Sequence, residues 1–419
     1  MKARRFLNVA IGQYHDGGSL GRITNPNKHL FYPSTAEAQQ HQIQRAAAAK
    51  AKDKPRKSTA AASSDDDCDG TSAPPEKDYD VLRMATPKFR FKASSHPGGS
   101  TGMLDFFPFY GGTAGAEERI LCMDSNGMAA LYNADAATIQ MMPRLDEPKR
   151  SEPISFVTHA ADRGALYLMD GAGRSFEALV YGDPDSPWFR LFACNDRHLW
   201  HWRALPPPAP LGVGHGRSKS SISIESYALL HGHDGNEDAS SGSSTTICVS
   251  LRDSGSSSNS GGKAVPAGGT YCFDTCTGEW TKAGCWRLPF SSRALHVPEL
   301  GNNILFGIDG NKSDRFCAVD VLGAMRTNGS APVLQHEWED VEPLPNWSLQ
   351  HHRVAYLGER RFCIDRSFQV MEMDGWGSDY DSVDTVVLLT GVEVVREGCK
   401  LRMVKHKSKR LDHDSYSVF

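Results

Sequence analysis

YCFDTCTGEWTKAGCWRLP, residues 271–289, is the stretch on which the reading of the fold turns. Tyr271 precedes Asp274 by three positions, a turn falls at Thr277-Gly278, Trp280 opens the next strand, and Leu288-Pro289 closes the unit. Each residue type has a task. An aromatic side chain and a tryptophan on paired strands fill the wedge between neighbouring sheets, while the aspartate and the Thr-Gly step make the hairpin turn between them.

Outward from this unit the same order recurs. It is found as Tyr132, Asp135, Thr138 and Met142-Pro143, as Phe192, Asn195, Trp202 and Leu205-Pro206, and as Cys317, Asp320, Trp338 and Leu344-Pro345. The turn residues Asp135, Asn195, Asp274 and Asp320 are spaced by 60, 79 and 46 positions, the longest gap holding Ser/Gly-rich sequence. Self-similarity near 50 residues is the mark of propeller blades, and loop insertions stretch the period. Apolar strands entering a turn precede the units at 166–170, 227–231, 304–309 and 354–357. A fifth unit is expected at 349–406. Closing a sixth blade requires the N-terminal strands, 6–11 and 19–23, to pair with C-terminal ones, which would leave few exposed edges. The expected fold is therefore all-β, a single kelch-like β-propeller of six blades, with five or seven as alternatives.

Residues 34–80 interrupt this pattern with an alanine run, a lysine-rich stretch, 63–69 rich in Ser and Asp, and Pro74-Pro75. Such composition buries too little apolar surface to offset its ordering entropy, so a disordered low-complexity insertion is expected, with a short helix near 36–52. The domain reading is thus 1–33 as closing strands, 34–80 as insertion and 81–419 as propeller, with Ser/Gly-rich loop insertions at 235–244 and 254–269.

The 419 residues carry 46 basic and 50 acidic side chains, a net charge of −4 too small and mixed for the field that nonspecific nucleic-acid binding needs. No apolar run approaches the roughly 18 residues that span a bilayer, and the first residues lack a signal-peptide pattern. The expectation is a soluble intracellular protein, cytoplasmic or nuclear, with no specific nucleic-acid or membrane partner. Basic runs at 50–57 and 405–410 read as solvated segments, with nuclear import the alternative. Of the ten cysteines, Cys122, Cys194, Cys248, Cys317 and Cys363 sit in apolar strand-like runs, where a reduced thiol acts as a small core residue.

The unit at 271–289 resembles a kelch repeat. The opening RRFLNVAI with LFYPS, the runs ILFGID, RFCAVD and LGERRFCIDRSF, and the ending LTGVEVVREGCKLRMVKHKSKR are similar to a plant family, expanded in grasses, of kelch-like and F-box-associated-like proteins of unknown function. The resemblance covers nearly the whole chain outside the low-complexity stretches. It implies a repeat scaffold and names no chemistry. The paired glycines that should end the second strand of each blade in a strict kelch repeat occur only as Gly111-Gly112 and Gly268-Gly269, and no F-box-like leucine-rich helical segment is expected before the repeats.

Candidate chemistry is thin. His231 with His233 and Asp234, His198 with His201, and His351 with His352 lack the spacing of a metal site, and no HExxH motif or CxxC pair accompanies them. His159 and His296 read as core or channel histidines. Cys272 and Cys276 flank a turn near Cys285, where a structural role is favoured over a redox or metal pair. No GxSxG or phosphate-binding loop is present. Trp200 and Trp202, beside His201 and Arg203, suggest a recognition patch, although the repeat assigns Trp202 to the core. The expected function is a non-catalytic scaffold whose blade loops bind an unidentified protein partner, without cofactor or metal. A small-ligand or glycan-binding propeller and a metal-dependent propeller enzyme are the alternatives.

Overall fold

The computed structural model describes residues 4–13, 17–52, 79–87, 89–94, 103–110, 118–149, 152–158, 165–182, 200–212, 222–231, 245–253, 268–301, 303–311, 314–326, 330–373, 380–398, 400–412 and 415–418. The chain divides into two compact units. The larger holds Asn8–Arg22, Ala85–Glu339 and Ser415–Phe419, and the smaller holds Met1–Leu7, Ile23–Met84 and Asp340–Asp414.

The strands follow in order. The first are β1 (Phe6–Gln13), β2 (Gly17–Thr24), and the short β3 (Val81–Leu82) and β4 (Arg90–Phe91). Then come β5 (Leu104–Tyr110), β6 (Glu118–Asp124), β7 (Ala129–Asn133) and β8 (Thr138–Met141), which form one antiparallel meander. A second meander is built from β9 (Ile154–Val157), β10 (Leu166–Met169), β11 (Phe176–Tyr181) and β12 (Trp200–Leu205). The third is β13 (Ile222–His231), β14 (Thr245–Asp253), β15 (Gly269–Asp274) and β16 (Trp280–Gly284). The fourth is β17 (Ser292–His296), β18 (Ile304–Ile308), β19 (Phe316–Asp320) and β20 (Val333–Trp338). The last two meanders join through their first strands, β13 and β17, which pair in parallel.

Two-sided burial explains why these runs are apolar without interruption. On one face of the first meander Phe107, Phe109, Leu121, Met123 and Leu131 pack with Val157, Leu166, Leu168, Leu179 and Trp202 of the second. The alternate residues Phe106, Ile120, Cys122 and Tyr132 meet Ala10, Leu20 and Phe91. The second meander turns Phe156, Tyr167, Met169 and Phe176 toward Ile247, Val249, Leu251, Tyr271 and Phe273 of the third. The third then turns Ala228, Leu230, Cys248 and Cys272 toward Ala294, Leu305, Cys317 and Val319 of the fourth. Since successive side chains point to opposite faces, a strand between two sheets needs apolar residues at every position. RILCMD, ALYLMD and ILFGID have them at 120–123, 165–169 and 304–308. Fourth strands are wetter: TIQM of β8 is exposed except at Gln140, and VLQHEW of β20 alternates exposed with half-buried residues.

Within the smaller unit, β21 (Trp347–Gly358), β22 (Arg361–Met373), β23 (Tyr380–Glu397) and β24 (Lys400–Leu411) form a meander, extended by β3 in parallel with β24. This stretch was expected as a fifth repeat, yet its strands run to 12–18 residues and its sheet is five-stranded, unlike the short four-stranded meanders. Helices α1 (Pro26–Leu30) and α2 (Thr35–Lys52) belong to the same unit. Ser34 caps α2, its Oγ accepting the Glu37 amide at 3.2 Å, in the spacing of a capping box.

The β21–β22 hairpin closes through Glu359 and Arg360, both at positive φ (52° and 63°), between the paired Gly358 and Arg361. A two-residue turn of this kind suits Asn-Gly. Replacing Glu359-Arg360 with Asn-Gly is expected to raise stability by about 1–2 kcal/mol, read as a higher urea midpoint; no change would mean that the Arg360 amide bond to Tyr356 Oη (3.0 Å) already offsets the strain.

The all-β class stands, in several sheets rather than one demonstrated ring. β1 pairs with β25 (Ser415–Val418), Val9 opposite Val418 and Ala10 opposite Ser417, in a sheet ordered β25-β1-β2-β4. Residues 53–78 and 232–244 and most of 254–269 lie outside the described residues, as do Phe192 and Asn195.

Candidate functional site

The repeat residues take definite places. Asp274 makes an Asx turn, its Oδ1 accepting the amides of Cys276 (2.7 Å) and Thr277 (3.2 Å). In the first meander that position is filled by Asn133, whose Oδ1 accepts the amides of Asp135 and Ala136, both at 3.0 Å. Asp135 instead receives Arg22 at 2.6 Å. Asp320 accepts the Gly323 amide at 3.0 Å. Tyr132 stands opposite Ile139, as Phe273 stands opposite Trp280, and the Tyr271 ring lies under Lys282 at 5.5 Å. Trp338 stands opposite Phe316. The Leu288 amide donates to Ser250 Oγ (2.9 Å), the Leu288 carbonyl accepts Ser226 Oγ (3.1 Å), and the Pro289 carbonyl accepts the Gly310 amide (3.1 Å).

Two tryptophans latch consecutive meanders. Trp202 Nε1 donates to the Pro143 carbonyl at 2.9 Å, and Trp280 Nε1 donates to the Pro206 carbonyl at 2.7 Å. In each case the acceptor is the proline that ends the preceding meander. Trp202→Phe and Trp280→Phe are each expected to cost about 1 kcal/mol; equal unfolding midpoints for variant and parent would remove the latch from the account. A second recurring residue was legible as the last letter of RILCMD, ALYLMD and ILFGID. Asp124, Asp170 and Asp309 are buried and accept the amides of Asn126 (2.9 Å), Ala172 (2.9 Å) and Asn311 (3.1 Å), closing the turn between second and third strands.

The histidine and cysteine candidates separate. His233, Asp234, His198 and His159 lie outside the described residues. His231 and His296, at the ends of the parallel β13 and β17, come together: the His231 amide donates to His296 Nδ1 at 3.1 Å and the rings stack at 6.0 Å. Cys276 and Cys285 are exposed, whereas Cys272 lies opposite Cys248. Among the described residues no three His, Cys, Asp or Glu side chains converge as metal ligands would.

In the smaller unit the polar interior pins helices to the sheet. His406 Nδ1 accepts the Tyr32 amide (3.2 Å), so its Nε2 carries the proton that faces Glu393 Oε2 at 3.3 Å, and Thr35 Oγ1 donates to the same oxygen at 2.9 Å. The His406 bond holds Glu393 below the usual carboxylate range, with the Thr35 bond and Arg361 assisting against burial. At Gly391 a Cβ would overlap the Leu30 carbonyl oxygen, so only glycine permits this approach.

Asp365 differs. It is buried with Oδ1 unpartnered, and burial raises its pKa from 3.8 to about 7 against the opposing charges of Arg353 and Arg366. Between about pH 4 and pH 7 the folded protein keeps a proton that the unfolded chain has lost, so this group lowers stability as pH rises through that window. Asp365→Asn is expected to flatten that slope and to add about 1–3 kcal/mol at pH 8. Parallel stability profiles for variant and parent would show that water or a neighbour already satisfies the carboxylate.

The exposed apolar side chains of the larger unit concentrate on the outer strands. Ile139 (43% exposed) and Met141 (63%) lie on β8, which ends its sheet, Met128 is nearby in sequence at 42%, and Val333 begins β20 at 73%. Exposed apolar residues on an edge strand invite pairing with another chain.

Fold and side chains together define an all-β protein of two units, one of stacked four-stranded meanders and one with a long-stranded sheet and two helices. The chain matches the family described as "Protein of unknown function (DUF1668)" over residues 4–411 and belongs to it. No curated protein matches the chain. No helix among the described residues is long and apolar enough to cross a membrane.

Proposed function

We propose that the chain is a non-catalytic scaffold whose larger unit is a kelch-like β-propeller of five blades, closed by the β25–β1 pairing, that binds a protein partner through its inter-strand connections and outer strands. This reading agrees with the kelch-like, F-box-associated-like resemblance of the sequence. The observation that carries it is the serial packing of four-stranded meanders, the first three burying both faces and the fourth packing against the third, with outer strands such as β8 and β20 partly exposed. Blade stacking of this kind yields a rigid body whose variable parts are its connections and rims. Cross-linking mass spectrometry on tagged protein from its own source tests the proposal. One reproducible protein partner, cross-linked to connections or outer strands of the larger unit and lost in Ile139→Asp/Met141→Asp or in loop-shortened variants, is the expected result. A stoichiometric metal, or cross-links confined to the smaller unit, would overturn it.

A further inference from the structure

β14 and β15 form an antiparallel ladder in which Cys248 stands directly opposite Cys272. Such positions ordinarily place Cβ atoms about 4.5–5.5 Å apart, and a disulfide spans about 3.5–4.5 Å, so closure draws the two strands slightly together. The two sulfurs already approach to 2.6 Å, about half an ångström beyond the length of an S–S bond. Both side chains face the packed layer between the third and fourth meanders, where Cys317 is a third thiol. Cys317 stands opposite Gly307 and Glu337 on its own strands rather than opposite either partner. The ladder therefore selects one pair among the seven free cysteines of the described residues.

We propose that Cys248 and Cys272 are a disulfide-forming pair, closed by peroxide, that fastens β14 to β15 at the base of the Ser/Gly-rich stretch between them. Cys272 is the attacking sulfur, because it keeps 7% exposure while Cys248 has none. Its thiolate attacks one peroxide oxygen and breaks the O–O bond, giving a sulfenic acid and hydroxide, which takes up the proton the Cys272 thiol released and leaves as water. The Cys248 sulfur then displaces that oxygen as a second water. Overall two thiols and one peroxide become one disulfide and two waters, the thiols losing two electrons and the peroxide gaining them. The hydrogen bond with Cys272, and then burial, hold the Cys248 thiol well above its usual range, so the reaction waits on brief openings of the ladder and is slow compared with that of an exposed thiol.

Hydrogen peroxide treatment of the full chain tests this. The protein is quenched in acid, unfolded, alkylated without reductant and digested with an enzyme that cuts after Phe273, which separates Cys272 from Cys276. The expected product is a peptide pair joining Cys248 to Cys272, two hydrogens lighter than its parts, lost after reduction, absent in Cys248→Ser and Cys272→Ser and retained in Cys317→Ser. The oxidised parent should also unfold at a higher temperature than the reduced parent, a shift missing from Cys248→Ala. Alkylation of both residues after peroxide, or a bond from Cys272 to Cys276 or Cys317 instead, would overturn the assignment; the peptide map of the parent decides this even where a variant fails to fold.

Discussion

Lys149→Ala is expected to lower the unfolding free energy by about 3–5 kcal/mol, the largest loss of any single charged residue in the larger unit. Lys149 has no exposed side-chain surface and Glu177 keeps only 2%; the two form an ion pair, with the Lys149 ammonium also donating to the Glu147 carbonyl at 2.9 Å. Removing the ammonium strands a buried carboxylate on β11, whose charge the Glu147 amide at 3.4 Å does not balance. The pair itself need not be strongly favourable, because two desolvated charges roughly cancel their own attraction. Lys149→Met combined with Glu177→Leu should therefore recover most of the loss. Urea denaturation of the three proteins measures both effects. A single-variant loss under about 1 kcal/mol would mean that the site admits water.

Arg366→Ala is expected to cost a similar amount, about 3–5 kcal/mol, in the smaller unit. The guanidinium grips Asp340 as a fork, Nε to Oδ2 at 2.9 Å and Nη2 to Oδ1 at 2.6 Å, with both side chains buried. Arg366→Lys should restore only part of the stability, since an ammonium cannot reproduce the planar double contact. Loss of Arg366 also removes one of the two charges that oppose the upward shift of Asp365, so the upper end of the pH window in which Asp365 destabilises the fold should rise while its lower end stays near pH 4. Full rescue by lysine would show that charge alone, not the fork, holds Asp340.

Much of the strand content was legible because strands buried on two faces need uninterrupted apolar runs, such as ILFGID or ALYLMD. The turn chemistry was legible in part. Asp274 is an Asx turn in sequence and in structure, whereas the step from Tyr132 counted three positions to Asp135 and passed over Asn133, which does the capping. Residue spacing cannot distinguish two adjacent turn formers; only the backbone amides they face can. Trp202 and Trp280 were singled out as wedge residues from their type, but their hydrogen bonds to Pro143 and Pro206 depend on the preceding meander lying alongside.

By itself, the sequence determined the all-β class and marked a helix near 36–52, since hydrophobic period and composition are local properties. Tertiary structure decided the rest. It set residues 349–406 into a long-stranded sheet of the smaller unit, brought Tyr32 and Thr35 to His406 and Glu393 across more than 350 residues, buried Lys149 against Glu177, and set Cys248 opposite Cys272 rather than pairing Cys272 with Cys276. These are long-range pairings whose partners are chosen by strand register and sheet stacking, and register is a property of the assembled ladder that no local stretch of residues encodes.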